Sequence, residues 1–188
     1  MAASAFTDSQ QQQLLQLARQ AIASDLGEAD APAESSDDPE LNHPGASFVT
    51  LKIDHQLRGC IGTLEAHQPL HLDVIHNARA AAFSDPRFAP LSKPELNQIH
   101  IDISVLTDPE PLPPITEEQL LATLRPGIDG LILKEGARRA TFLPSVWESL
   151  SQPEDFVREL KRKAGLPANY WSDSIRCDIY QAHCFSET

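Results

Sequence analysis

The chain is short of four things, and each shortage narrows what it can be. No apolar run approaches the roughly 20 residues that a helix needs to cross a bilayer, so no membrane-spanning helix is expected. Cysteine occurs only at Cys60, Cys177 and Cys184. An odd, small count argues against a disulfide framework and for reduced thiols. Positive charge is scarce: 15 Lys and Arg stand against 27 Asp and Glu, a net charge of −12. That field repels phosphate backbones and anionic lipid, so nucleic acid is disfavoured as a general partner. The stretch Met1-Ala2-Ala3-Ser4-Ala5-Phe6 lacks the basic and apolar regions of a signal peptide, which with the free thiols points to the cytoplasm. Glycine is the fourth shortage, eight in 188 residues.

What is present suits a globule. A length of 188 residues with 41% hydrophobic and 22% charged side chains fits one domain with a real core, or one domain carrying a small subdomain. The charge is uneven. Residues 1–57 carry nine acids against Arg19 and Lys52, whereas residues 125–163 carry eight bases against six acids. The basic stretch, ending in Lys161-Arg162-Lys163, reads as a solvated helix face.

The order of elements follows from local patterns. Thr7 and Gln10 are spaced for a capping box, and Leu14, Ala18, Ala21 and Ile22 recur at helical spacing up to a stop at Gly27. Residues 28–46 are acidic and proline-punctuated and read as a mobile loop. Val49, Leu51 and Ile53 alternate in a strand, Asp54-His55-Gln56 turns, and Leu57–Leu64 returns as its hairpin partner. Pro69 opens a helix striped by Leu70, Val74, Ala78, Ala81 and Ala82, which ends at Ser84-Asp85-Pro86-Arg87-Phe88. Ser92 and Glu95 form a second capping box, and Ile99–Val105 alternates as a strand. Residues 108–114 form a stiff proline-rich connector to a smaller subdomain at about 115–165. There Thr116 caps a helix, Gly130–Lys134 and Arg138–Leu143 form a hairpin, and Ser151 with Glu154 caps another helix. Ile175–Phe185 reads as one final strand. Tight turns between strands require antiparallel pairing, so the expected class is α+β: a mostly antiparallel sheet with helices packed on it, in two subdomains.

Two of the eight glycines fall in Leu57-Arg58-Gly59-Cys60-Ile61-Gly62-Thr63. Glycine weakens a strand interior, so its use here signals a close approach to the backbone. Strand alternation puts Arg58, Cys60 and Gly62 on one face. A guanidinium beside a thiol favours the thiolate, which is the nucleophile. Cys60 and Arg58 are therefore the candidate catalytic pair, and Gly59, Gly62 and Thr63 candidate substrate contacts. Asp85 and Arg87 are candidates too, since an arginine fork reads carboxylate or phosphate; the plainer reading is a structural corner with Arg87 paired to Asp85. The histidines near in sequence, His55, His67, His71 and His76, read as surface residues, and none is named as a base. His100 and Asp102 share a strand face but lack a third ligand, and Cys177 and Cys184 do not resemble a zinc pair, so no metal or cofactor is assigned.

The same motif resembles the signature of the AMMECR1 family. Phe48-Val49-Thr50-Leu51 upstream, Asp85-Pro86-Arg87-Phe88, Gly127-Ile128-Asp129-Gly130-Leu131, Leu143-Pro144, Lys163-Ala164-Gly165-Leu166 and Trp171 continue the resemblance in order. Ser145 stands where the family's pattern has glutamine, and the acidic loop is longer. The resemblance implies a single AMMECR1-like domain over residues 1–188, a two-subdomain fold and an activity that is unsettled. It further implies company with a Memo-like protein and a radical SAM protein, as in the AmmeMemoRadiSam system. Two readings of function stay open. One is a cysteine-dependent enzyme or enzyme subunit acting on a small anionic or carbonyl substrate. The other is a non-catalytic module whose glycine-flanked cleft holds a peptide or a protein.

Overall fold

A computed structural model describes residues 6–188; the stretch 1–5, read above for a signal peptide, lies outside the described residues. The chain divides into two compact units. One comprises residues up to Leu106 together with His183–Thr188, and the other Thr107–Ala182. Each is built on a four-stranded sheet whose hairpins are antiparallel, with helices packed on it, which is the expected α+β class. No helix among the described residues is long and apolar enough to cross a membrane.

In the first unit, helix α1 (Asp8–Asp25) begins with the expected capping box of Thr7 and Gln10, and Gly27 follows its end at φ +75°. Strands β1 (Ala46–Ile53) and β2 (Gln56–Gly62) form the hairpin. Asp54 and His55 both have positive φ, the geometry that lets a two-residue turn match the twist of its strands. Helix α2 (Leu70–Phe83) follows, then strand β3 (His100–Leu106). The sheet order is β2-β1-β3-β8, where β8 (Ala182–Ser186) is the last strand of the chain, so β2 and β8 are its edges. One sheet face is apolar: Val49, Leu51, Ile101, Ile103, Val105 and Phe185 pack against Leu14, Ala18 and Ile22 of α1 and Val74, Ala78 and Ala81 of α2.

The second unit holds β4 (Glu110–Pro111), α3 (Glu117–Thr123), β5 (Gly130–Glu135), β6 (Arg138–Phe142), α4 (Pro153–Lys163) and β7 (Arg176–Tyr180), with sheet order β4-β7-β5-β6. Trp147 stacks on Phe156 at 3.8 Å between ring centroids at the centre of its core. Lys161 is 1% exposed and pairs with Glu117. Asp129 in the Gly127–Gly130 turn is buried and accepts from the Arg125 backbone and guanidinium, while its carbonyl accepts from the Trp147 indole.

The structure corrects two expectations and adds an element within the acidic segment. The final strand is two strands: the chain leaves β7 of the second sheet at Tyr180 and joins the first sheet as β8 from Ala182. Residues 176–186 contain no proline or glycine, so nothing in their pattern marks the change of sheet. Helix α4 is capped at Gln152 without a side-chain bond, not by Ser151 with Glu154. The acidic segment between α1 and β1 carries its own one-turn 3-10 helix, Pro39–Asn42, capped by Asp38, with Leu41 fully buried. Gln10 and Gln13 of α1 bond Asp38 and Ser36.

The motif glycines answer to crowding. A Cβ on Gly59 would stand 2.1 Å from the carbonyl oxygen of Ala81, and one on Gly62 would stand 2.2 Å from the Phe48 ring. Helix α2 therefore lies with its backbone against β2, and Phe48 covers its cross-strand neighbour Gly62. A backbone carbonyl inside a helix cannot step aside, whereas a ring can. We expect Gly59→Ala to destabilise by about 3 kcal/mol and Gly62→Ala by about 1 kcal/mol, read from chemical denaturation midpoints. Phe48→Ala in the Gly62→Ala background should recover part of the loss, and no recovery would contradict the ring contact.

Candidate functional site

The site lies wholly in the first unit, along the exposed edge of β2. Cys60 pairs with Thr50 of β1. The Thr63 N–H donates to the Ser47 carbonyl, so alternation turns the Cys60 peptide groups away from β1. Such a pair brings side chains close, and the Thr50 hydroxyl donates to Cys60 Sγ at 3.1 Å. The outward peptide groups of Cys60 are taken by the corner after α2. Its N–H donates to Asp85 Oδ2 at 2.9 Å, and its carbonyl accepts from Arg87 Nη2 at 3.4 Å. Arg87 also grips Asp85 through Nε at 3.0 Å and Nη2 at 2.7 Å. Asp85 is buried, whereas the Arg87 side chain is 54% exposed. The Arg87 hydrogen bond, with help from the Cys60 N–H and against the pull of burial, holds the Asp85 carboxyl well below the usual carboxylate range. Asp85 also raises the Arg87 guanidinium, to which charge on Cys60 adds a smaller effect.

Arg58 sits where the ladder slips. Leu51 faces Gly59, but Lys52 faces Leu57, so Arg58 is the extra residue of a bulge in β2. The bulge interrupts the simple alternation that would set Arg58 beside Cys60. Its guanidinium is instead gripped by Glu95, through Nε at 2.8 Å and Nη2 at 3.2 Å. Glu95 is in turn held by the Ser92 N–H and hydroxyl, which completes the expected capping box of a one-turn 3-10 helix. The Arg58 bond, with the Ser92 N–H, lowers the Glu95 carboxyl to about 2. Phe88 joins the two ion pairs: the guanidinium carbons of Arg58 and Arg87 lie 5.8 and 5.5 Å from its ring centroid.

The remaining motif residues pack. Thr63 Oγ1 donates to Asp73, a fully buried carboxylate of α2 that also accepts from the Ser47 N–H and hydroxyl and from Asn77 Nδ2. The network ties α2 to β1 and to the end of β2 with no cation in it. The space beside Gly59, Gly62 and Thr63 is thus occupied by Ala81, Phe48 and Asp73.

Among the sequence candidates, the structure brings Cys60, Asp85 and Arg87 into direct contact and joins Arg58 to them through Phe88. Glu95 and Thr50 are partners that pattern reading did not name; the Ser92–Glu95 capping box was visible, but not the arginine its carboxylate would take. His55, His67 and His76 are exposed, as expected, but His71 is 2% exposed, because α2 turns it under the acidic segment. Asp102 pairs with Lys52 at 2.5 Å and His100 at 3.5 Å, and no group of three or more potential ligands among the described residues could hold a metal. All three cysteines are free; Cys177 is buried, and burial pushes its thiol up to about 12, while Cys184 is exposed.

Comparison with known proteins agrees over nearly the whole chain. The AMMECR1 family model matches residues 15–185. A Saccharolobus islandicus protein is 39% identical over 182 residues, covering 93% of this chain and 80% of that one. A Thermofilum pendens protein is 36% identical, covering 93% and 88%. The crystal structure of an uncharacterised protein from Pyrococcus horikoshii, 33% identical, superposes with a TM-score of 0.81 over 93% of this chain and 89% of that one.

The Arg58–Glu95 pair has a pH signature. Its carboxyl is depressed on folding, so its contribution is complete above the ordinary glutamate value of 4.5 and is lost as pH falls through about 2. The stability gap between wild type and Glu95→Gln should therefore be full at neutral pH and close between those values in denaturant titrations. A gap that stays constant down to pH of about 2 would show that Glu95 acts by packing, not by charge.

Proposed function

The chain belongs to the AMMECR1 family, and from that premise we propose that it is a cysteine-dependent enzyme or enzyme subunit whose reacting group is the Cys60 thiol. The observation that carries the reading is the way Cys60 is held: Asp85 and Arg87 take its peptide N–H and carbonyl, and Thr50 donates to its sulfur. A residue fixed at backbone and side chain is preorganised, and preorganisation is what a nucleophile or thiol carrier needs. Arg87 takes over the part first given to Arg58. It is half exposed and reaches the Cys60 carbonyl at 3.4 Å, whereas Arg58 is 15% exposed and held by Glu95 through two of its nitrogens. The fork of Arg87 is occupied by Asp85, so a substrate meets its remaining N–H edge. That favours a small electrophile, such as a carbonyl compound, carrying one anionic group.

The alternative of a peptide lying along β2 is disfavoured at Cys60, because Asp85 and Arg87 already occupy that edge, and the glycines leave no open cleft beside the strand. We assign the protein to the reducing cytoplasm, with Memo-like and radical SAM proteins as its companions; these assignments rest on the family resemblance and the free thiols.

Competitive alkylation with iodoacetamide, read by peptide mass mapping, tests the proposal. At neutral pH, Cys60 should be modified at least about tenfold faster than the more exposed Cys184, and Arg87→Gln should remove most of that advantage. Labelling of Cys60 no faster than that of Cys184 would overturn the nucleophile reading and return the binding module as the better account.

A further inference from the structure

The buried imidazole of His71 stands apart from the site, and its two nitrogens face the same kind of partner. Nδ1 lies 2.9 Å from the carbonyl oxygen of Leu41, and Nε2 lies 3.1 Å from the carbonyl oxygen of Glu34. A neutral imidazole has one N–H and one lone pair. It can donate to only one of these carbonyls and must turn a lone pair toward the other. Only the doubly protonated ring donates to both. Buried polar groups are rarely left facing a like partner, because the cost is that of a lost hydrogen bond and more.

We infer that His71 is a proton-operated latch, which in its imidazolium form seats the acidic segment 34–42 on the first turn of α2. The segment's other ties frame it. Leu41 is fully buried beneath it, the Leu70 N–H donates to the His43 carbonyl, and the Gly45 N–H donates to the Gln68 carbonyl. These ties all lie at the C-terminal end of the segment, and the ring spans from Leu41 to Glu34.

Among the described residues, the ring's bonds are to backbone carbonyls and not to a carboxylate side chain. The segment carries Glu34, Asp37, Asp38 and Glu40, and His43 follows it. Asp38 is occupied by the Glu40 N–H and by Gln10, and the backbone of Glu34, not its side chain, meets the ring. On its own helix the nearest carboxylate is Asp73, spent on Ser47, Thr63 and Asn77. Helix α1 approaches the segment with the uncharged amides Gln10 and Gln13. At low pH the ring holds two bonds; as pH rises through its titration, one N–H is lost and the seat weakens.

Two measurements on the intact chain decide it. Nitrogen-15 NMR follows both ring nitrogens of His71 through its titration, and hydrogen exchange follows the Leu41 amide, whose N–H donates to the Asp38 carbonyl within the segment. We expect both nitrogens protonated on the acid side. The Leu41 protection factor, corrected for intrinsic exchange, should fall about tenfold as the ring deprotonates, the worth of one hydrogen bond. In His71→Phe, protection should be low and insensitive to pH over the same range. A ring that stays neutral in one tautomer on the acid side, or a protection factor flat across its titration, overturns the latch. If His71→Phe does not fold, the wild-type titration by itself still supports or overturns the latch. The outcome is independent of whether Cys60 reacts.

Discussion

The structure of the first unit turns on one close approach. At Gly59 the backbone of β2 meets the carbonyl of Ala81 with no room for a side chain between them. That contact sets the height and the rotation of α2 on the sheet. Asp85 lies four residues on, just past the end of the helix, and its carboxylate reaches the outward N–H of the very next strand residue, Cys60. At the other end of the helix, Asp73 and Asn77 bond Ser47 and Thr63. Helix α2 is therefore fastened to the hairpin at both ends and in the middle. The position of Cys60 follows from the same fastening.

The electrostatics of the edge follow from economy of charge. Two arginines and two acids form closed pairs, Arg58 with Glu95 and Arg87 with Asp85, about one aromatic ring. In a protein of net charge −12, unpaired guanidinium groups would draw any of the surplus carboxylates. Intimate pairing fixes which carboxylate each takes. It also removes most of the cationic field that the bare sequence offered to the thiol. What remains is the outer edge of a half-exposed Arg87 and the hydroxyl of Thr50. The Cys60 sulfur has a neutral donor in Thr50, while Arg87 meets the carbonyl of the same residue.

Much of this is legible in the sequence, and the limits are physical. Local devices can be read: the capping boxes at Thr7, Ser92 and Thr116, the stop at Gly27 and the Asp54-His55 turn all act within a few residues of themselves. The Asp85–Arg87 pair can be read as a corner for the same reason. What escapes is non-local or breaks a period. The bulge at Arg58 shifts the ladder by one residue, and the run 57–63 carries no mark of it. The move of the chain from β7 to β8 across Gln181 leaves the alternation almost undisturbed. Glu95 can be assigned to its cap from sequence, but its second partner lies 37 residues away. The burial of His71 depends on a segment whose acidic, proline-rich composition argues for a loop, while Leu41 anchors it in the core.

The motif itself divides into scaffold and exception. Gly59 and Gly62 are small because Ala81 and Phe48 fill the space above them, and Thr63 closes the buried carboxylate network. Ile61 packs on the core, and Arg58 anchors Phe88 and Glu95. Each of these side chains is explained by what it touches. Cys60 is different. Its backbone bonds to Asp85 and Arg87 would be made by any residue with an N–H and a carbonyl, and only the bond from the Thr50 hydroxyl depends on its side chain. Packing gives no reason for sulfur. A frame of ion pairs and hydrogen bonds, with the buried Arg58 Nη1 left without a partner inside it, surrounds one side chain whose sulfur packing alone does not require.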